Sequence, residues 1–247
     1  MVAPLGLRHC GIIGKCVGIC LAIFITVQAA VAAVVEAEKY QSFFLWAGVR
    51  PQPALKKAQE IYLLAGEVSG GDHPHIISQR STTPYLPDLK LWVVYRAQTI
   101  EWNDAIVNDV LRHIETWRAA GNAVEGLQID FDSGTKNIGG YIAFLTKIRE
   151  HLPPRYRLSI TGLLDWGAHA DAKDFSSMGH VVDEVVLQIY QGRHVIVGYD
   201  QYLNSLPSLG VNFKIGLLQG AIWVAPFELE TNPRFKGYVV FLVNPTK

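Results

Sequence analysis

Beyond residue 39 the sequence repeats one pattern, in which a short apolar segment is followed by a turn or an amphipathic helix. Eight segments fit strands: Tyr40–Gly48, Ile61–Glu67, Leu89–Arg96, Val124–Asp132, Arg157–Asp165, Asp183–Tyr190, Asn212–Leu218 and Gly237–Val243. Apolar residues at helical spacing predict helices over Asn103–Ala120 and Ile138–Leu152, with shorter ones near Ala170–Met178 and Tyr199–Leu206. Strands that alternate with helices favour parallel pairing. Eight such units predict an α/β protein with a (β/α)8 TIM-like barrel.

This barrel would be small. Residues 36–247 would form it as a single domain, close to the lower size limit of the fold. Residues 68–88 are rich in glycine and proline and are expected to form a long loop in place of a helix. No helix is expected after the eighth strand, so a closed barrel and a barrel that is incomplete at the C-terminus both fit the sequence.

The first 35 residues have the composition of a targeting segment. Arg8 and Lys15 precede an apolar run over residues 16–35, and residues 30–32 fit a small-x-small cleavage site. The run is also long enough to cross a bilayer, so a retained membrane anchor is the alternative to a cleaved signal peptide. Either way the barrel is expected outside the cytoplasm, periplasmic or secreted, or held at the inner membrane.

Cysteine content and charge exclude several classes of site and partner. All three cysteines (Cys10, Cys16, Cys20) lie in the targeting segment, so the barrel would have no disulfide and no thiolate metal site. The formal net charge of zero gives no reason to expect a nucleic acid or an anionic membrane surface as partner. Membrane contact is expected only through residues 16–35. No phosphate-binding loop or serine elbow is present, and no cofactor is predicted.

The segment from Glu125 to Asp132 is the strongest candidate for a functional site. Its strict alternation puts three apolar side chains on one face and three polar ones on the other: Leu127, Ile129 and Phe131 against Gln128, Asp130 and Asp132. Both faces of a strand in such a barrel are covered. Covered carboxylates are costly unless they are paired, hydrogen-bonded or open to a cavity, so the pattern indicates an active-site strand.

Other predicted strands also end in polar or aromatic residues, and the carboxyl ends of barrel strands meet at one mouth. These residues are Glu67, Arg96, Asp165, Trp166, Gln188 and Tyr190. We expect them to line a substrate pocket together with Gln128. Glycoside hydrolysis needs one carboxylic acid to protonate the leaving oxygen and a second group at the sugar carbon. Asp132, nearer the mouth, would be the acid, and Asp130 its partner.

The stretch Glu125-Gly-Leu-Gln-Ile-Asp-Phe-Asp132 resembles the strand-four signature of chitinase-type (family eighteen) glycoside hydrolases, Asp-Gly-x-Asp-x-Asp-x-Glu. The resemblance implies that Asp132 is the general acid, that Asp130 orients the substrate acetamide, and that Gln128 replaces the deepest aspartate. Gln188-Ile-Tyr190-Gln191 resembles the strand-six Met-x-Tyr-Asp of that family, which implies that Tyr190 holds the acetamide or the transition state. Asp132 is one methylene shorter than the glutamate of the family, and Gln128 cannot titrate.

A second resemblance covers the whole predicted barrel. Five motifs, in this order, are similar to an uncharacterised bacterial family, domain of unknown function 3142: Leu64–Glu67, Val94–Arg96, Leu127–Asp132, Ser159–Thr161 and Leu187–Gln188. This resemblance implies export and a glycosidase-like barrel, with no established reaction.

The same residues could instead have structural roles. Asp130 and Asp132 could pair with Arg96 in a buried network; Arg96 could instead bind a substrate carboxylate or phosphate. Tyr190 could be a core aromatic. Four tryptophans could form a sugar-stacking platform or pack in the core: Trp46, Trp92, Trp166 and Trp223. The stretch Asp72-His73-Pro74-His75 could hold a metal, but a surface loop is expected, so no metal site is predicted.

The sequence therefore predicts a glycoside hydrolase-like protein that acts on an envelope or extracellular polysaccharide. Two alternatives stay open. One is a non-catalytic barrel that binds carbohydrate, and the other is a structural envelope protein without a sugar ligand.

Overall fold

Eight parallel strands form the centre of the computed structural model, which describes residues 32–131, 138–163, 172–203, 210–226 and 229–244. The strands are β1 (Ser42–Leu45), β2 (Glu60–Val68), β3 (Lys90–Ala97), β4 (Val124–Asp130), β5 (Arg157–Leu163), β6 (Glu184–Gln188), β7 (Asn212–Leu218) and β8 (Phe235–Phe241). Each predicted strand is present, and no strand end differs by more than three residues. The predicted alternation of strands and helices is confirmed.

The sheet closes on itself. Strand β1 pairs in parallel with β8 through Phe43 and Val240, and in parallel with β2 through Ser42 and Glu60. The remaining neighbours follow chain order from β2 to β8, all parallel. The TIM-like barrel is therefore confirmed, and of the two predicted forms the closed one is present.

In the described ranges, four helices pack on the outside of the barrel. They are α1 (Asp104–Ala119), α2 (Ile138–His151), α3 (Ala172–Val181) and α4 (Tyr199–Leu203). Helix α1 begins after Asn103, whose side-chain oxygen accepts a hydrogen bond from the Ile106 N–H at 2.9 Å. A 3-10 turn (Pro53–Lys57) connects β1 to β2. The predicted loop at residues 68–88 contains a short strand, Ile76–Ser78, antiparallel to β2.

Two apolar clusters lie on opposite sides of the sheet. The outer cluster packs β4 side chains such as Leu127 and Ile129 against helix residues such as Val110 and Leu145. The inner cluster fills the middle of the barrel and consists of Phe44, Tyr62, Leu64, Trp92, Val94, Val186 and Val239. Both faces of β4 are thus covered, as its alternation predicts.

A charged network closes the amino-terminal end of the barrel. Lys214 Nζ lies 2.6 Å from Glu60 Oε2 and 3.2 Å from Glu184 Oε2, and the Tyr62 hydroxyl donates to Glu184 Oε1 at 2.6 Å. Burial, followed by the charges of Glu184 and Glu60, raises the pKa of Tyr62 well above its usual range. This network borders a second cavity of about 790 Å³ at the opposite end from the predicted site.

The start of the described chain packs onto the barrel domain. Ala33 and Val34 pair with Trp223 and Ile222, and Val35 is buried. Within the described ranges, no helix combines the length and the apolar character needed to cross a membrane. Residues 1–31, which include most of the predicted targeting segment, lie outside the described part, so its cleavage or retention stays a prediction.

Candidate functional site

A cavity of about 620 Å³ opens at the carboxyl ends of the barrel strands. Side chains near the ends of five strands line it: Trp46 after β1, Arg96 of β3, Asp130 of β4, Gln188 of β6 and Phe241 of β8. A site assembled from several strand ends can present groups from different directions to one ligand. The cavity also lies within the size range of small-molecule sites.

Asp130 is held at the floor of this cavity. It is 7% exposed, and the Thr161 hydroxyl of β5 donates a hydrogen bond to its Oδ1 at 2.8 Å. The Phe131 N–H in turn donates to Thr161 Oγ1 at 3.2 Å. A carboxylate that is mostly buried, hydrogen-bonded and still in contact with a cavity satisfies the condition that the alternation of β4 sets.

Gln128 lies one layer below Asp130. Its side chain is fully buried, and its Nε2 donates to Ser159 Oγ at 3.0 Å; the Ser159 hydroxyl donates to Glu184 Oε1 at 3.1 Å. The expectation that Gln128 lines the pocket is therefore corrected. It joins β4 to β5 and connects the cavity floor to the charged network at the amino-terminal end.

Arg96 projects into the cavity as an exposed cation. Its guanidinium carbon lies over the Trp46 ring, 5.4 Å from the centroid. Arg96 and Asp130 are register partners on adjacent strands, yet no carboxylate of a described residue lies within 4.0 Å of the Arg96 guanidinium. Asp132 lies outside the described residues, so the alternative of a network of Asp130 and Asp132 with Arg96 stays a prediction.

Aromatic side chains form one wall of the cavity. Phe241 contacts Trp46 and Tyr190, with ring centroids 5.7 Å and 5.3 Å apart. Tyr190 is both mostly buried and part of the cavity lining. Trp92 and Trp223 are core residues, so among the described tryptophans Trp46 alone belongs to the predicted platform.

The other predicted site residues fall into two groups. Glu67 does not line the cavity, so the expectation for it is corrected. Its carboxylate accepts a hydrogen bond from the Gln98 side chain. Asp132, Asp165 and Trp166 lie outside the described residues, and their roles stay predictions.

Sequence reasoning missed the part of the wall that follows β6. Tyr190–Gln191 and His194–Val195 form a two-stranded hairpin, and Arg193 in its turn lines the cavity together with Tyr202 and Asn244. Gly192 has a φ of 59°, the left-handed conformation that glycine favours in turns. The Gly192-Arg193 pair between two short apolar segments was the available signal for this hairpin.

The loop that contains His73 and His75 is held by internal hydrogen bonds. His75 Nδ1 lies 2.9 Å from Ser69 Oγ, and the His75 N–H donates to the same oxygen at 3.1 Å. No group of three or more histidine, cysteine or acidic residues that could hold a metal ion occurs among the residues described.

Comparison with known proteins supports both resemblances. Residues 96–200 match a family model described as "Domain of unknown function (DUF3142)", which confirms the similarity inferred from the five motifs. This region runs from Arg96 through β4, β5 and β6 to the start of α4. No curated protein matches the chain.

Several solved structures share the fold. A chitinase from Bacteroides thetaiotaomicron superimposes with a TM-score of 0.54 at 11% identity, over 72% of this chain and 68% of that one. The Bacillus cereus spore cortex-lytic enzyme SleL gives 0.50 at 16%, over 76% and 51%. A xylanase and α-amylase inhibitor protein in complex with trehalose gives 0.50 at 8%, over 85% and 93%. The chain spans about half the length of SleL. At these identities the likeness shows the fold, a TIM-like barrel.

Proposed function

We propose that the cavity at the carboxyl ends of the strands binds a polysaccharide outside the cytoplasm and hydrolyses one of its glycosidic bonds. Asp132 would protonate the leaving oxygen, and Asp130 would act as its partner at the sugar carbon. The observation that carries the proposal is Asp130 itself, a nearly buried carboxylate whose Thr161 hydrogen bond holds it at the floor of a 620 Å³ cavity.

The walls of the cavity suit a sugar. Trp46, Tyr190 and Phe241 offer aromatic surface, which packs well against the C–H face of a pyranose ring. Gln188 and Asn244 offer amide groups that can donate to or accept from sugar hydroxyls. Apolar surface with a few polar groups is the usual composition of a small-molecule site.

The comparisons support the same class of ligand. A chitinase and a spore cortex-lytic enzyme share the fold, and the inhibitor protein with that fold was solved with trehalose. We extend from them only the class of ligand, a carbohydrate. The targeting composition of residues 1–35 supports export independently.

Hydrolysis can be tested with two carboxamide variants. Purified protein is incubated with N-acetylglucosamine oligosaccharides, peptidoglycan and a panel of neutral and acidic glycans, and new reducing ends are measured. We expect Asp132→Asn and Asp130→Asn each to lower the rate about 100-fold or more, because each removes a group used in the transition state. Asp88→Asn, at an exposed position, is the matched control. Full activity of Asp132→Asn would contradict the proposal.

A second candidate function is carbohydrate binding without turnover. The observation in its favour is Gln128, whose buried amide donates to Ser159 directly below Asp130 and cannot exchange a proton with it. Calorimetric titration with the same oligosaccharides separates the two candidates. Binding without new reducing ends would favour the second, and absence of both would contradict a carbohydrate function altogether.

A further inference from the structure

Two arginines contribute positive charge to the described part of the mouth cavity. Among the described residues that line it, the charged side chains are Arg96, Arg193 and Asp130. Asp130 Oδ1 accepts a hydrogen bond from the Thr161 hydroxyl. A negatively charged ligand in the cavity would therefore meet two guanidinium groups, although the chain as a whole has no net charge.

Arg96 is placed to receive an anion. Trp46 lies against its guanidinium but supplies no hydrogen-bond acceptor, and no described side chain forms an ion pair with it. The contact with the ring limits the positions of a long side chain, which lowers the entropy lost on binding. Guanidinium N–H donors that are positioned in this way can bind a planar carboxylate through two parallel hydrogen bonds.

We propose that the sugar bound in this cavity is acidic, and that Arg96 binds its carboxylate. This inference rests on the proposed carbohydrate function and adds the class of sugar, a uronic acid or another carboxylate-bearing unit. The aromatic wall of Trp46 and Phe241 would pack against the ring, while Arg193 on the hairpin turn adds positive charge at the rim. A carboxylate is favoured over a phosphate because one guanidinium group can bind both carboxylate oxygens. Phosphate sites, in contrast, usually contain several backbone N–H donors.

Calorimetry with matched glycans tests the inference. The probes are tetrasaccharides of galacturonic acid and of hyaluronan (alternating glucuronic acid and N-acetylglucosamine), each compared with its carboxyl-reduced, neutral counterpart. For the unmodified protein we expect at least one acidic probe to bind about 10-fold or more tightly than its neutral partner. The preference should weaken as salt is raised, because the cavity is open to solvent. Glucose 6-phosphate serves as the phosphate probe.

Three variants test whether Arg96 causes the preference for acidic glycans. Arg96→Gln should bind the acidic probe no more tightly than the neutral one. Arg96→Lys, which keeps the charge but not the fork, should retain part of the preference and guards against loss of folding in the first variant. Arg118→Gln, an exposed arginine at the end of α1, is the control and should behave as the unmodified protein.

The possible failures are distinguishable. Equal binding of acidic and neutral probes, an acidic preference that survives in Arg96→Gln, or tighter binding of glucose 6-phosphate than of either acidic probe would each overturn the inference and leave the carbohydrate function standing. If no glycan of either kind binds, both proposals are overturned.

Discussion

The ammonium group of Lys214 on β7 lies 2.6 Å from Glu60 Oε2 on β2, and so connects opposite walls of the barrel below its apolar middle. The same Nζ donates to the Tyr62 hydroxyl at 2.9 Å, and Glu60 also accepts hydrogen bonds from Ser42 and Trp92. Burial tends to raise the pKa of Glu60, but the charge and hydrogen bond of Lys214 hold it below its usual value. One cation thus keeps the Glu60 carboxylate ionised and also lies 3.2 Å from Glu184 Oε2.

Lys214→Met is expected to destabilise the protein by about 3–5 kcal/mol, because it removes the ammonium group that pairs with the largely buried carboxylates of Glu60 and Glu184. Urea unfolding at neutral pH measures the change in the free energy of unfolding. Lys90→Met is the control: Lys90 is exposed at the same end of the barrel, and its loss should change stability by about 0.5 kcal/mol or less. Equal stability of the two variants would show that the network contributes nothing beyond ordinary side-chain packing.

His113 on α1 makes folding sensitive to mild acid. The Trp117 indole donates to His113 Nε2 at 2.8 Å, and Nδ1 lies 2.5 Å from the Tyr95 hydroxyl. An Nε2 that accepts a hydrogen bond belongs to the neutral imidazole, so the proton lies on Nδ1. Burial lowers the pKa of His113 from its usual 6.5. Its contribution to stability is therefore complete above about pH 6.5 and is lost as the pH falls through the lower folded-state value.

We therefore expect the unfolding free energy to fall between pH 7.5 and pH 5.5, and to fall less in His113→Gln. His194→Gln, at an exposed histidine on the hairpin, should keep the pH dependence of the unmodified protein. If His113→Gln and His194→Gln lose the same stability on acidification, the half-buried His113 imidazole is not the group that titrates.

The strands of the barrel were predictable because each carries its own local signal. In β4 the alternation of Leu127 and Ile129 with Gln128 and Asp130 specifies which side chains face the helices and which face the interior. Asn103 and Gly121 bracket α1 in the same local way, by an N-terminal cap and a glycine with a φ of 93° after the last turn.

Closure and the polar interior were harder to predict, because they depend on contacts distant in sequence. Val240 meets Phe43 across almost the whole chain, and nothing near either residue encodes the pairing. Lys214 alternates with apolar neighbours and would ordinarily be placed facing water; it is buried because Glu60 and Glu184 meet it inside. Arg193 lines the cavity because it lies in the turn of a hairpin that follows β6, and the apolar pattern of β6 does not predict this hairpin.

The Thr161 hydroxyl positions Asp130. Substitutions of Thr161 can test the contribution of this hydroxyl separately from the contribution of side-chain volume. Thr161→Val removes a donor to Asp130 Oδ1 and an acceptor for the Phe131 N–H while keeping the volume. We expect a loss of about 1–3 kcal/mol in unfolding free energy, since both partners are left in a poorly hydrated place. Thr161→Ser keeps the hydroxyl and should lose less. Urea unfolding of both variants makes the comparison, and a Val variant as stable as the Ser variant would contradict the positioning role.

Gly126 marks a close approach between β4 and β5. The ladder between β3 and β4 shifts there, since Leu91 pairs with Val124 and Trp92 with Gly126, which leaves Glu125 as an extra residue. A Cβ atom on Gly126 would lie 2.0 Å from the carbonyl oxygen of Arg157, a backbone atom that cannot rotate away. A methyl group there must push two strands of the barrel apart.

Gly126→Ala is therefore expected to destabilise the protein by about 3 kcal/mol or more, at the upper end of overpacking effects. Gly139→Ala is the matched control, because a Cβ on this exposed glycine in the first turn of α2 meets no atom within 4 Å. It should leave stability unchanged or raise it by up to about 1 kcal/mol, since alanine restricts the unfolded chain. Thermal and urea unfolding of the two variants provide the measurement. If Gly126→Ala unfolds at the same urea concentration as Gly139→Ala, β4 does not pack against β5 as closely as described. The placement of Asp130 beside Thr161, which depends on that packing, would then also be contradicted.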